Sequence, residues 1–349
     1  MYNRTIEQCV MSYAIRYQRL SELVGQSFQD SEYASSTTLN LYIDLTRIIR
    51  NCNEIIANDP LALSANILNL CAHYKSFFRR GYGVECKIFL LYTSGEFFFN
   101  KQYYHGYGFP GNQIILSNTT KTNLDLLTMI VRYLPDIDFI TTDQEVGLVM
   151  MDIMQYEAAH GNPSPNVIIS KDIFLYQIVN SKGTFIFRPK KVETGDVSYA
   201  INKSNVIDIY QIDRKIKFVE NSINPEMLSF IMAITKVPER QIPTIISIGT
   251  AIKLIEKCIK DNTILNGYIN DCNYCALEIS KRTRSTIVPF EVSIRYKAVD
   301  LVNLYMSYDY NLRGNARYNG IINLVDPMSL NMINEQYYQK TPVDFMTLM

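Results

Sequence analysis

Short apolar runs alternate with longer segments of helical periodicity over the first half of the chain. The runs with strand character cover residues 39–45, 86–92 and 166–170. The segments with helical spacing cover residues 46–78, 123–133 and 145–156. Strands that alternate with helices favour a parallel sheet with helices on both faces. The pattern therefore predicts an α/β fold, a three-layer domain around a mostly parallel sheet.

Both ends of the chain differ from this pattern. Apolar residues spaced by four and three between Ile6 and Val24 predict an amphipathic N-terminal helix, which either packs on its own domain or docks on another protein. Beyond Lys203 the pattern is mostly helical, with Pro225 opening one helix. We divide the chain into a helix and linker (1–38), the α/β domain (39–215), a helical segment (216–265) and a Tyr-rich region of mixed structure (266–349).

Composition narrows the classes of function. Lys plus Arg and Asp plus Glu both number 34, so the chain is not a general polycation, and any contact with nucleic acid must be a local patch. Seven irregularly spaced cysteines favour a reducing compartment, hence the cytoplasm. No apolar run approaches the roughly 20 residues of a membrane span, so no membrane partner is expected. Abundant Tyr, Asn and Ile are typical of an AT-rich coding genome.

Two acidic residues follow predicted strands. Asp44 lies at the end of the first apolar run, and Asp172 follows the third. Parallel sheets bind ligands at the carboxyl ends of their strands, where loops converge. Each residue can also be a strand-end cap or a turn residue. The two carboxylates are therefore candidates for one site.

Two stretches resemble the 5′ nuclease superfamily, which includes flap endonucleases, the 5′-3′ exonuclease domain of DNA polymerase I and phage RNase H-type nucleases. Residues 167–179 are similar to the family's strand and Asp-x-Asp segment, and residues 233–254 are similar to its helix-hairpin-helix turn. Weaker matches follow in the family's order over residues 39–260. The resemblance implies a PIN-like α/β domain followed by a segment that grips a DNA backbone, plausible for a phage-encoded protein.

The resemblance also implies a metal site built from several carboxylates, which hold two divalent cations for phosphodiester hydrolysis. Asp44, Glu145 and Asp172 stand at three of the acidic positions. Phe174 and Val237 replace acids at two others. With so few anionic ligands, two close cations would repel each other, so we expect no cofactor or a single weakly bound Mg²⁺.

The hairpin turn departs from the family in a similar way. Of the glycine positions that let a backbone approach phosphate, only Gly249 remains, followed by Lys253 and Lys257 on a predicted helix. Lys190 and Lys191 end a second basic cluster. These five residues are the candidate contacts to a DNA or RNA backbone, although solvated surface also explains the lysines. Cys272 and Cys275 form an isolated CxxC, too few ligands for structural zinc.

Three hypotheses of function follow. The first is a degenerate 5′ nuclease-like protein, a pseudoenzyme retained to bind nucleic acid or another protein in the cytoplasm of a phage-infected host. The second is an active Mg²⁺-dependent 5′-3′ exonuclease or flap endonuclease with a drifted metal site. The third is a protein scaffold or virion component that has no nucleic-acid role and binds its partner through the N-terminal helix.

Overall fold

The computed structural model describes fourteen stretches of the chain. They are residues 38–51, 62–93, 118–142, 145–160, 164–179, 184–191, 197–198, 206–207, 228–235, 245–265, 268–269, 271–283, 286–300 and 343–349. The predicted N-terminal helix lies outside these residues and stays a prediction. None of the described helices is both long and apolar enough to cross a membrane.

A six-stranded sheet forms the centre of the described structure, in the order β3-β2-β1-β4-β5-β8. Its strands are β1 (Thr38–Asp44), β2 (Glu85–Thr93), β3 (Ile137–Thr142), β4 (Asn166–Ile169), β5 (Thr184–Phe187) and β8 (Val206–Ile207). The first five strands pair in parallel, and β8 adds to β5 in the antiparallel sense. Two-stranded antiparallel pairs join β6 (Lys190–Lys191) to β7 (Val197–Ser198) and β9 (Ile264–Leu265) to β10 (Tyr268–Ile269). The α/β class with a mostly parallel sheet is confirmed.

Both faces of the sheet are buried, because alternate side chains of each strand enter two separate cores. In β1, Leu41 and Ile43 belong to one core, while Tyr42 belongs to the other. The Tyr42 ring stacks on Phe89 of β2 with centroids 5.0 Å apart. This two-sided burial explains why the predicted strands are continuous apolar runs.

Two helical layers cover the faces. The first layer contains α1 (Leu45–Asn51), α2 (Ala62–Tyr82), α3 (Asn118–Val131) and α9 (Phe345–Leu348). The second contains α4 (Val146–His160), a 3₁₀ helix (Ile173–Ile178), α5 (Leu228–Ile234), α6 (Ile248–Lys260), α7 (Cys272–Thr283) and α8 (Pro289–Val299). The three-layer arrangement agrees with the PIN-like domain that the resemblance implies, whereas the division of the chain into four regions stays a prediction.

The sequence pattern missed two strands of the parallel sheet. In β3 only Ile137 and Ile140 are buried, so the edge strand lacks a continuous apolar run. β5 is fully buried but only four residues long. Of the helix expected over 46–78, the structure describes α1 (Leu45–Asn51) and α2 (Ala62–Tyr82), and residues 52–61 lie outside the described stretches. The three predicted strands are confirmed to within a few residues.

A buried lysine connects α9 to α2, another helix of the first layer. Lys75 of α2 is 3% exposed, and its Nζ donates to the carbonyl oxygens of Pro135 at 3.0 Å and Leu348 at 2.9 Å. Burial lowers the pKa of Lys75, and the charge of Asp136 opposes that shift. A buried ammonium is tolerated only when its protons find acceptors. Lys75 therefore joins α2, the turn before β3 and α9.

We expect Lys75→Met to lower the free energy of unfolding by about 1–3 kcal/mol, because one buried and one partly buried carbonyl oxygen lose their charged donor. Chemical denaturation of both proteins measures the difference. Arg80→Met is the matched control, since Arg80 is an exposed cation of the same helix and its loss should change stability by less than about 0.5 kcal/mol. Equal stabilities of Lys75→Met and the wild type would contradict the proposed role of the ammonium.

Candidate functional site

The carboxyl ends of the five parallel strands meet at one edge of the sheet, which we call the carboxyl edge. Asp44, Thr93 and Thr142 are the last residues of β1, β2 and β3. Ser170 follows β4, and Arg188 follows β5. Because loops from neighbouring strands converge at such an edge, it is where a parallel α/β sheet places a ligand.

Asp44 is held at this edge by hydrogen bonds to both carboxylate oxygens. The side chain belongs to a residue only 5% exposed. Its Oδ2 accepts from the Ser170 hydroxyl at 2.8 Å, and its Oδ1 accepts from the Thr46 backbone N–H at 3.1 Å. The Thr46 hydroxyl oxygen in turn accepts from the Thr93 N–H at 3.2 Å. Asp44 and Thr46 therefore connect the ends of β1, β2 and β4.

Asp172 joins the same network through its backbone. Its N–H donates to the Ser170 hydroxyl oxygen at 3.0 Å, and the residue is 3% exposed. The Asp172 carbonyl oxygen accepts from the Leu175 N–H at 3.3 Å, where the 3₁₀ helix begins. Ser170 thus accepts from one acidic residue and donates to the other. The structure brings Asp44 and Asp172 together, with a serine hydroxyl between them.

Glu145 lies at the start of the helix that follows β3. It precedes α4, where its carbonyl oxygen accepts from the backbone N–H groups of Leu148 at 3.0 Å and Val149 at 3.3 Å. Its side chain is buried, as is that of Asp152 in α4. Glu145 follows the carboxyl end of β3, so it lies on the side of the sheet where β1 ends at Asp44 and Asp172 follows β4. It is also the residue next to the amino end of α4.

The residues present do not fit a pair of metal ions. Nowhere in the described stretches do three His, Cys, Asp or Glu side chains come close enough to hold one cation. Two cations a few ångströms apart need several anionic oxygens to offset their mutual repulsion. Asp44, Glu145 and Asp172 are all described residues and form no such group, so a single weakly bound Mg²⁺ at these three residues stays a prediction that requires their side chains to move closer together.

One positively charged group at the carboxyl edge is Arg188, which follows β5 and contacts the segment after β4. Arg188 donates from Nη1 to the Tyr176 hydroxyl at 2.9 Å and from Nη2 to the Lys171 carbonyl oxygen at 3.2 Å. Its guanidinium also lies 5.8 Å from the centre of the Tyr176 ring. These contacts orient a half-buried cation against the backbone of Lys171. An arginine held in this way can present its remaining N–H groups to an anion.

Sequence analysis missed Ser170 and the fixed position of Arg188. Ser170 stands two residues before Asp172 at the end of an apolar run, which is the position for a strand-end hydrogen bond. Its partner Asp44 is 126 residues away in the chain. Arg188 lies two residues before Lys190 in the same basic cluster, and its position beside the end of β4 was not predicted because the pairing of β5 with β4 was not predicted.

The predicted backbone-binding residues fall into two groups. Gly249 and Lys253 are exposed in the first turns of α6, which begins with the Ser247 hydroxyl accepting from the Thr250 N–H. Lys190 and Lys191 form β6 and pair with β7. Around the hairpin position, the N–H groups of Ile245 and Ile246 donate to the Ile234 carbonyl oxygen and so connect the end of α5 to the start of α6. The helix-hairpin-helix element itself stays a prediction, because residues 236–244 lie outside the described stretches.

Lys257 is engaged in a different way from Lys253. Its Nζ lies 2.8 Å from Glu278 Oε2 of α7 and 5.7 Å from the centre of the Tyr274 ring. The hydrogen bonds from Lys257 and Lys281 lower the pKa of Glu278. Lys257 therefore connects α6 to α7 across a carboxylate whose side chain is 7% exposed.

Comparisons with known proteins give little further information. No family model matches this sequence, and no curated protein matches it. A structure of the eukaryotic junction-resolving enzyme GEN-1 binding with cesium has a TM-score of 0.35 and 11% identity, covering 89% of this chain and 64% of that one. Human GEN1 in complex with Holliday junction DNA has a TM-score of 0.36 and 11% identity, covering 76% of this chain and 72% of that one. The chain spans less than two thirds of the length of the first of these structures.

We expect Asp44→Ala to lower the free energy of unfolding by about 1–3 kcal/mol, because the Thr46 N–H and the Ser170 hydroxyl lose a buried acceptor. Urea denaturation measures the loss. Asp125→Ala is the control, since Asp125 is an exposed carboxylate of α3 whose removal should cost less than about 0.5 kcal/mol. A similar effect of both substitutions would show that the carboxyl edge does not depend on Asp44.

Proposed function

We propose that this chain is a 5′ nuclease-like pseudoenzyme, encoded by a phage, that binds a nucleic-acid backbone without cleaving it by two-metal hydrolysis. The observation that carries this proposal is the hydrogen bond between Ser170 and Asp44 Oδ2, closed by the Asp172 N–H. A neutral hydroxyl thus binds the Asp44 carboxylate on one side and the backbone N–H of Asp172 on the other. The α/β fold supports the nuclease-like part of the proposal.

We expect no two-metal catalysis because of the ligands that Mg²⁺ requires. Each ion needs hard oxygen ligands in near-octahedral geometry, and two neighbouring ions need a surplus of negative charge. Asp44 has both carboxylate oxygens engaged by donors of the protein. A metal ion would have to displace the Ser170 hydroxyl or share its oxygen. The network therefore favours a structural role for Asp44 over metal binding.

A nuclease assay tests the catalytic part of the proposal. We expect the wild-type protein to cleave 5′-flap and nicked duplexes in Mg²⁺ or Mn²⁺ no faster than Asp172→Ala does. Asp125→Ala controls for general effects of removing an acidic residue. Metal-dependent cleavage that survives in Asp125→Ala and vanishes in Asp172→Ala would instead establish the active 5′ nuclease with a drifted metal site.

Binding is supported by two positive groups, a half-buried arginine and an exposed lysine. Arg188 is oriented at the carboxyl edge by Tyr176, and Lys253 projects from an exposed position in the second turn of α6. Arginine and lysine contacts to phosphates release counterions, so they provide affinity for nucleic acid without reading its sequence. We propose these two side chains, with Gly249 and the β6 lysines, as the backbone contacts.

Salt dependence tests the binding part. We expect the logarithm of the affinity for duplex or junction DNA to fall linearly with the logarithm of salt concentration, and Lys253→Gln to reduce that slope by about one. Arg80→Gln is the matched control, because Arg80 is an exposed cation near the amino end of β2. No binding at about 50 mM salt, where phosphate contacts are strong, would overturn the proposal and favour a protein scaffold.

A further inference from the structure

Two cysteines meet where α6 packs against α7, and a third lies three residues before one of them in α7. Cys258 of α6 and Cys275 of α7 are both fully buried, and their sulfur atoms are 3.7 Å apart. Cys272 is the first residue of α7 and is partly exposed. It lies one helical turn before Cys275. The group therefore has an inner pair of sulfurs and one outer sulfur that solvent can reach.

The helices around the inner pair are already held at this distance by other contacts. Lys257 pairs with Glu278 at 2.8 Å, and the Tyr274 hydroxyl donates to Asp261. The Thr263 hydroxyl donates to the Cys258 carbonyl oxygen at 3.0 Å, which fixes the turn after α6. A disulfide bond has a sulfur separation of about 2.05 Å, so the two sulfurs need to approach by only about 1.6 Å.

The chemistry of the two inner thiols is unequal. The hydrogen bond from the Cys275 thiol lowers the pKa of Cys258, while the same contact raises the pKa of Cys275. The thiolate is the nucleophile in disulfide exchange. Cys258 is therefore the better nucleophile of the pair. In contrast, burial raises the pKa of Cys71, in the other core, to about 12.

We propose that Cys258, Cys272 and Cys275 form a thiol–disulfide exchange site, in which Cys272 reacts with a low-molecular-weight disulfide and the final bond joins Cys258 to Cys275. This inference is independent of whether the chain binds nucleic acid. The proposed substrate is a small disulfide such as glutathione disulfide. The site links the oxidation state of the surroundings to the connection between α6 and α7.

The exchange proceeds in three balanced steps. The Cys272 thiolate attacks one sulfur of glutathione disulfide, forms a mixed disulfide and releases one glutathione thiolate. Cys275, whose raised pKa makes this the slow step, then gives up its proton and attacks Cys272 Sγ, and the second glutathione leaves as a thiolate that takes up that proton. Finally, the Cys258 thiolate attacks Cys275 Sγ and returns Cys272 to a thiolate. Overall, two protein thiols lose two protons and two electrons, which the glutathione disulfide gains as two thiols.

Disulfide mapping of the wild-type full chain tests the assignment. The reduced protein is equilibrated in glutathione redox buffers, quenched by alkylation, digested without reductant and analysed by mass spectrometry. We expect the peptide containing Cys258 to become joined to the peptide containing Cys275, while Cys272 is recovered alkylated. A stable bond between Cys272 and Cys275, or no bond between these helices in the most oxidising buffer, would overturn the proposal.

The role of Cys272 as the entry point has its own test. We expect Cys272→Ser to slow formation of the bond between Cys258 and Cys275 by about tenfold or more, because the exposed thiol that reacts first with glutathione disulfide is lost. The final product should not change. Cys71→Ala is the matched control, because Cys71 is buried in the other core, and it should leave the rate unchanged. An unchanged rate in Cys272→Ser would show that the inner pair reacts directly and that the relay is wrong.

Discussion

The carboxyl edge depends on satisfying a buried carboxylate at the end of a strand that is itself buried on both faces. Every residue of β1 from Leu39 to Asp44 is buried, so water cannot solvate the Asp44 side chain as it does a surface carboxylate. The protein supplies the donors instead, from Thr46 and Ser170. Since these donors belong to the elements that follow β1 and β4, the carboxylate holds together the region where a ligand would bind.

The fold was predictable from sequence to the extent that apolar runs mark strands buried on two faces. β1, β2 and β4 are such runs. In β3, at the sheet edge, only Ile137 and Ile140 are buried and the other residues are half-buried, and the strand follows a turn in which Asp136 adopts a φ of 59°. β5 has only four residues, which is too short for periodicity to separate a strand from a buried loop.

The candidate site was predictable in part for a different reason. Asp44 and Asp172 were found because they follow strands, and parallel strands end at one edge. Ser170 was not found, since a hydroxyl next to an apolar run carries no signal until its partner, 126 residues away, is known. The same holds for Lys257, which looked like a surface cation in sequence and pairs with Glu278 on the next helix.

The second helical layer contains residues of both proposed activities, nucleic-acid binding and thiol–disulfide exchange. α6 carries exposed Lys253 in its second turn, Lys257 in its last turn and Cys258 on its buried side. Neighbouring positions of one helix thus face solvent, a salt bridge and a core. A change in how α6 meets α7 would therefore reach the exposed turn of α6 through a rigid element rather than through a loop.

The pairing of β1 has a consequence for synthesis on the ribosome. β1 lies between β2 and β4, and Asn40 pairs with Asn166, a separation of 126 residues. At roughly 5–20 residues per second, a nascent chain waits several seconds or longer before β4 has emerged to cover that side of β1. During this interval an apolar strand edge is open to other chains, so holdase chaperones and slow translation would both influence the yield of native protein.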